Sequence, residues 1–325
     1  MSYREINVNE ITELVSKMVV DANYFLPDDV ECALKKARDE ETSALSKEAL
    51  SDILENAAIA RDKKMPICQD TGMAVFFVEL GQDVHIVGGD YMEAFNKGVA
   101  KGYTEGYLRK SVQSCEIGER INTGNNTPAI VHTEIVPGDK IKITAAPKGF
   151  GSENMSALKM LTPSAGKEGV KKFILDTVKN AGPNPCPPII VGVGLGGTME
   201  VCAYNAKKAL IRKTGEPSSD KTIAEFEKEL LAEINKLNIG TAGFGGKTTA
   251  LAVHIISHPV HIAGMSVAVN INCHAARHLT CELWYGQGRC WKLKISYNKI
   301  PVFIDHESKN TDEMHKNFGI YVLGE

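Results

Sequence analysis

Residues 181–212 read AGPNPCPPIIVGVGLGGTMEVCAYNAKKALIR, and their pattern decides the fold class. Pro183 to Pro188 form a rigid lead-in, because proline fixes φ and removes a backbone donor. The apolar run that follows from Ile189 is short and β-branched, which favours a strand. GVGLGG, residues 192–197, makes a glycine-rich turn, and a helix is expected from 199 to 212. A strand that passes through a glycine turn into a helix points to sheets packed against helices.

The flanking sequence extends this reading. Downstream, Asp220 caps an amphipathic helix expected to run through Leu237 and stop at Gly240, and residues 250–273 are β-rich, with alternation around Met265 to Ile271. Upstream, helices are expected at 153–161 and 166–181, after the glycine-bearing turn Lys148 to Asn154. Residues 128–136 and 139–148 are β-rich and separated by Pro137-Gly138, which reads as a hairpin or tight turn. AVFFVEL, residues 74–80, reads as a strand, and 91–109 as a helix with glycine interruptions. The first 65 residues are helical in pattern. Asn9 is placed to cap a first helix, Pro27 to open a second, and a third spans Ser46 to Ala60. The expected fold is therefore α+β, an N-terminal helical region followed by mixed β-sheet segments packed with helices. Residues 1–278 form the expected main body. Residues 279–325 carry both tryptophans, Trp284 and Trp291, and alternate like strands in KLKISYNKIPVFID, so they are treated as a C-terminal appendage without an assigned role.

Composition narrows the function classes. The chain has 325 residues, 43% hydrophobic and 24% charged, so a well-buried core is expected and wholesale disorder is not. A formal net charge of -3 argues against general nucleic-acid binding, which needs a basic surface. No apolar run reaches the roughly 18 residues of a membrane helix, and MSYREINVNE lacks the apolar core of a signal peptide. Eight cysteines in a chain of this length are too sparse for a disulfide scaffold, and no CxxC pair occurs. These features lead to the expectation of a cytoplasmic protein with reduced thiols and neither nucleic acid nor membrane among its partners.

Several motifs invite chemistry. GVGLGG satisfies G-x-G-x-x-G through Gly192, Gly194 and Gly197, the pattern of a dinucleotide turn and hence of an NAD-dependent oxidoreductase. No βαβ unit is expected to close behind it, so a plain strand-to-helix turn is preferred. GFGGKTT, 243–249, resembles a P-loop but has Thr241 where the register needs glycine; its glycines remain a candidate nest for a smaller acid group. His254, His258 and His261 lie close in sequence, though zinc would need further ligands. Among the cysteines, Cys32 and Cys202 lie in helical patterns and read as core thiols. Cys68, Cys186 and Cys273 differ: each sits at a turn or strand end, where a thiol can project into a shared pocket. Three such thiols could hold a metal or an iron–sulfur cluster, although clusters held entirely by protein usually use four.

A longer set of motifs goes further. PICQDTG, GYLRKSV, NTGNNTPAI, PKGFGSENMSALKML, AGPNPCPPIIVGVG, GGKTTALAVHI, HIAG and AVNINCHAARH occur in this order. Together they resemble the alpha subunit of class I fumarate hydratases over about residues 10–278; the L-tartrate dehydratase alpha subunits share that architecture. The resemblance implies a hydro-lyase that interconverts fumarate and L-malate, with L-tartrate dehydration as the alternative. It implies a [4Fe–4S] cluster on Cys68, Cys186 and Cys273, one iron being left without a protein thiolate. It further implies that Arg109 clamps a substrate carboxylate, that Gln69 and His261 hydrogen-bond the substrate, and that Gly151 brings a backbone N–H close. Asp70 is the implied acid/base group; turn or helix capping is the other use that Asp-Thr-Gly offers. NCHAARH and GSENMSALKML favour the fumarate version. A separate beta subunit is implied to complete the active site, in an αβ or α2β2 assembly.

Overall fold

The computed structural model describes residues 3–114, 117–286, 290–297 and 300–307. Along the chain run β1 (Arg4–Asn7), α1 (Val8–Tyr24), α2 (Asp28–Glu40), α3 (Ala44–Lys63), β2 (Val75–Gly81), β3 (Val84–Val87) and α4 (Tyr91–Glu105). Next come β4 (Ile130–Val136), β5 (Ile141–Ala145), the single turn α5 (Phe150–Glu153), β6 (Ala157–Leu161) and α6 (Gly166–Ala181). Then follow β7 (Ile189–Gly196), α7 (Met199–Ala209), α8 (Lys221–Lys236), β8 (Ala250–His258), β9 (Met265–Asn272), β10 (Leu279–Gly286), β11 (Cys290–Tyr297) and β12 (Ile300–Glu307). The class is α+β, as the sequence pattern implies. The chain divides into two compact units: 1–24, 71–147 and 277–325 make the first, 25–70 and 148–276 the second.

The first unit is built on a six-stranded sheet in the order β12-β11-β10-β5-β2-β4, beside the parallel pair β1-β3. Val75, Phe76, Phe77 and Val78 of β2 are all buried, which suits a strand with neighbours on both sides. β4 pairs with β2 in parallel and β5 pairs with β2 antiparallel. The stretch around Pro137-Gly138 is thus a turn but not a hairpin, because β2 lies between the strands it joins. Past the boundary drawn at residue 278, Leu279, Cys281 and Leu283 of β10 enter the same core as Ile11, Val15 and Phe76. Helix α1 begins at Val8, one residue ahead of the expected cap. Asn7 caps it instead: its Oδ1 accepts from Asn9 N at 2.9 Å, while Asn7 N donates to Glu10 Oε2 at 3.1 Å, a reciprocal capping box. Burial there pushes the Glu10 carboxyl up to about 7.

The second unit is a four-stranded sheet, β6-β9-β7-β8, covered on both faces. Ile189, Val191 and Val193 of β7 pack with Ile174 of α6 and Leu230 and Ile234 of α8. The alternate residue Ile190 packs with Val30 and Leu34 of α2 and Leu50 of α3, as period-2 geometry demands. On that second face α7 lies directly on the strand. A Cβ at Gly194 would stand 1.9 Å from the Cys202 carbonyl oxygen, and one at Gly192 would stand 2.2 Å from that of Ala206. β8 is the parallel neighbour of β7, so the crossover through α7 and α8 does close a parallel unit, contrary to the expectation from the spacing. Residues 153–161 are not a helix. Only the turn of α5 forms there, and Ala157–Leu161 pair antiparallel with β9 as an edge strand. Ala, Leu, Lys and Met favour helix locally, but completing the ladder of β9 overrides that preference.

Candidate active site

The three cysteines singled out by their turns all belong to the second unit. Cys68 follows Ile67, which is buried in the core of α2 and α3 and whose carbonyl accepts from Asn56 Nδ2 at 2.8 Å. The residue at 68 is thereby anchored while its thiol stays half-buried. Cys186 closes a turn in which its N–H donates to the Pro183 carbonyl at 3.0 Å, and it holds a left-handed φ of 55°, which is uncommon for a residue with a side chain. Cys273 directly follows the end of β9, and Ala275 and Ala276 behind it are buried. His274 joins two of these turns: its backbone N–H reaches the Cys186 carbonyl at 3.2 Å, and its Nδ1 reaches the same oxygen at 3.0 Å.

The Cys186 thiol is pushed up by burial first, then by the negative charges of Cys273, Cys68 and Asp70. All three thiols are free of disulfides. Among the described residues, no three His, Cys, Asp or Glu side chains are gathered at the spacing of a single metal ion. That includes the histidines near 258: His254 is buried with Nδ1 at 3.2 Å from the Ala209 carbonyl, whereas His258 and His261 are exposed. Of the two expected core thiols, Cys202 is buried and donates to the Gly194 carbonyl, but Cys32 is exposed on α2. The core stripe of α2 runs through Val30, Leu34 and Ala37, and position 32 falls off it.

Asp70 stands beside Cys68, its N–H 3.4 Å from that sulfur. Its Oδ2 accepts from Phe150 N at 2.8 Å, so it caps the first turn of α5 and is thereby fixed in place. Gly151 is one residue further on. A Cβ there would meet only the Asn184 carbonyl, at 3.7 Å, so packing in this unit does not demand a glycine. Gln69 is exposed. His261 is exposed in the turn between β8 and β9, where its Nδ1 accepts from Ala263 N at 3.1 Å, leaving the ring proton on Nε2. Arg109 belongs to the first unit. Its backbone is pinned through the hydroxyl of Thr71, which accepts from Arg109 N at 3.0 Å and donates to Arg109 O at 3.2 Å, and the residue is exposed.

Sequence reasoning missed the polar support of these turns. Lys148 is 4% exposed and donates to the Ile271 carbonyl, two residues before Cys273. Glu153 and Asn270 complete that network. The available signals were a lysine and a glutamate within PKGFGSEN and a histidine directly after a candidate ligand, but nothing in the spacing reveals that they are buried together.

Both glycine motifs find structural uses. In GVGLGG, Gly192 and Gly194 make room for α7, which supports the plain turn over a nucleotide site. In GFGGKTT the loop does bind an acid group, and it is the chain's own: Glu41 accepts from Lys247 N at 2.9 Å and from Thr42 N and Ser43 N. Although burial pushes the Glu41 carboxyl up, the backbone donors Ser43, Thr42, Lys247 and Thr248 outweigh it and hold the group below its ordinary range. At Gly246, with φ of 105°, a Cβ would stand 2.8 Å from that carboxylate.

Comparison with known proteins gives concordant matches. The family model described as fumarate hydratase (Fumerase) matches residues 12–282. A Methanocaldococcus jannaschii protein, provisionally named L(+)-tartrate dehydratase subunit alpha, is 44% identical over 274 residues, covering 82% of this chain and 95% of that protein. The L(+)-tartrate dehydratase subunit alpha of Escherichia coli strain UTI89 is 34% identical over 286 residues, covering 87% of this chain and 93% of the relative. That of Escherichia coli K12 is 33% identical over 283 residues.

Proposed function

This chain belongs to the fumarate hydratase family of hydro-lyases, and from that premise we propose that it is the cluster-bearing alpha subunit of an enzyme that reversibly hydrates fumarate to L-malate. The observation that supports the reading is that the turns bearing Cys68, Cys186 and Cys273 belong to one compact unit, with Asp70 beside Cys68 and His274, next to Cys273, bonded to the Cys186 carbonyl. The donor set suits a [4Fe–4S] cluster. It consists of three soft sulfur ligands with no disulfide among them, two of them on turns joined by His274, and a cluster that spreads its thiolates over several irons needs a wider spacing than one ion. When bound, such a cluster supplies a Lewis-acid iron without a protein thiolate, suited to polarising the substrate hydroxyl.

The chain's own residues would supply orientation and proton transfer. Asp70, fixed by Phe150 N–H, is the candidate group to hold or accept a proton at the hydroxyl oxygen. His261, its Nδ1 occupied, would present an Nε2 donor to a substrate carboxylate. Gln69 offers an exposed amide, and Gly151 a backbone N–H without a side chain in the way. For Arg109 the proposal rests on GYLRKSV alone: its planar fork matches a carboxylate in two places. Charge builds on a carboxylate as the carbon loses its proton, and preorganised donors of this kind stabilise it.

A specific observation favours a second reading, dehydration of L(+)-tartrate: the relatives named above carry that name. Those relatives are also named as alpha subunits, so a beta subunit is the proposed partner. It would contribute the base on carbon and a cation for the second carboxylate. With no helix among the described residues long and apolar enough to cross a membrane, a cytoplasmic location is part of the proposal.

The test is an anaerobic assay of the reconstituted chain, alone and mixed with the companion subunit, against fumarate, L-malate and L(+)-tartrate. Turnover of fumarate that appears on mixing and saturates near equimolar ratio is expected. Turnover of tartrate with fumarate inert would replace the first reading by the second. Full turnover by this chain alone would refute the need for a partner.

A further inference from the structure

Next to the cysteine turns lies a buried ammonium to which the proposed reaction assigns no part. The Lys148 Nζ donates to the Ile271 carbonyl at 2.7 Å and to Ser152 Oγ at 2.9 Å, and stands 3.4 Å from Glu153 Oε2. Glu153 is shared. Its Oε1 pairs with Lys207 Nζ at 2.5 Å, and its Oε2 also accepts from Asn270 Nδ2 at 2.8 Å. Two ammonium groups thus divide one carboxylate, and the more deeply buried of them, Lys148, is the one that donates to the Ile271 carbonyl. Burying a charge is expensive unless it is paired. A half-share of Glu153 is a poor return, so a second negative charge is expected nearby. Burial is the main cause that pulls the Lys148 ammonium down to about 8; Lys207 adds to it, whereas Glu153 and Cys273 act in the opposite direction. The geometric link to a candidate ligand is the Ile271 carbonyl, two residues before Cys273.

We propose that Lys148 is a positioning residue for the cluster, tying the end of β9 that carries Cys273 to the 149–153 turn that holds Asp70, and keeping a fixed positive charge beside the cluster's thiolates. This rests on the cluster reading above. Each end of the brace is defined: Ile271 is two residues before Cys273, and Phe150, whose N–H fixes Asp70, is two residues after Lys148. A fixed cation at this place stabilises the more negative, reduced state of a cluster over the oxidised one.

The test is the midpoint potential of the anaerobically reconstituted chain, followed by electron paramagnetic resonance during reductive titration with dithionite. Lys148→Met removes the charge at similar length and is expected to move the potential negative. Lys207→Met moves it the same way by less, Glu153→Gln moves it positive, and Lys148→Arg restores the wild-type value. A loosened structure would not shift the two halves of one network in opposite directions. If Lys148→Met and Glu153→Gln shift alike, or neither shifts, the proposal is overturned while the cluster reading stands. If Lys148→Met does not fold, the opposite signs of Lys207→Met and Glu153→Gln decide it. A wild-type chain that takes up no cluster overturns the cluster reading, and this proposal with it.

Discussion

Single side chains divide here into those whose surroundings reveal a task and those identified by motif. Cys68, Cys186 and Cys273 stand out in the sequence because each interrupts regular structure; all three fall in the second unit, and His274 joins the turns of Cys186 and Cys273. Cys32 shows the limit of such reading: a cysteine within a helical pattern is buried only if it falls on the stripe, and this one does not. Arg109 is legible only through its motif. Arg109→Lys keeps the charge and loses the bidentate fork, so kcat/KM for the dicarboxylate should fall by the equivalent of about 1–3 kcal/mol. Steady-state kinetics of the holoenzyme would show it, and an unchanged value would remove Arg109 from the substrate's contacts. His274 and Lys148 were not legible at all, since their roles come from contacts between segments far apart in sequence: His274 meets Cys186, and Lys148 meets Ile271.

Elements with a strong period were legible, and those decided by a partner were not. α1, α2, α3, α6 and α8 follow their apolar stripes, α8 with its expected Asp220 cap, and β2, β8 and β9 their apolar runs. β6 was missed because its residues favour helix and only the edge of β9 makes them a strand. Of the two readings of Pro137-Gly138, hairpin or tight turn, only the turn holds, because local signals cannot show that β2 intervenes between β4 and β5. Packing of α7 on β7 makes a sharp prediction. Gly194→Ala drives a methyl into the Cys202 carbonyl and should destabilise the unit by about 1–3 kcal/mol or more, on the scale of overpacked cores. Denaturant unfolding would measure it, and wild-type stability in that variant would mean the helix does not lie on the strand as described. Burial of Glu10 in the first turn of α1, against the lowering effect of its bond from Asn7 N–H, predicts a pH dependence. The folded Glu10 carboxyl is raised from 4.5 to about 7. A raised acid favours the folded state fully below pH 4.5, and that contribution is lost as pH rises through about 7. Glu10→Gln should therefore gain stability relative to wild type across that window, by about 1–2 kcal/mol after allowing for partial exposure. A difference between the two proteins that stays flat with pH would contradict the assignment.

At the scale of the whole molecule, the interleaving of the two units was not visible in the sequence, because each crossing lies within an ordinary connection. The chain leaves the first unit at 24, returns at 71, leaves again at 147 and returns at 277. PICQDTG lies across one crossing, with Cys68 and Asp70 on one side and Thr71, which fixes the Arg109 backbone, on the other. Family membership follows from matches that span most of the chain and nearly all of each relative. What this subunit itself contributes is proposed to be the cluster, and the iron and acid-labile sulfide content of the anaerobically reconstituted chain tests that most directly. The expected result is about four irons and four sulfides per wild-type chain, lost in Cys68→Ser, Cys186→Ser and Cys273→Ser and retained in Cys32→Ser and Cys202→Ser. A wild-type chain that stays colourless and iron-free, or wild-type iron content in any of the first three variants, would contradict the account.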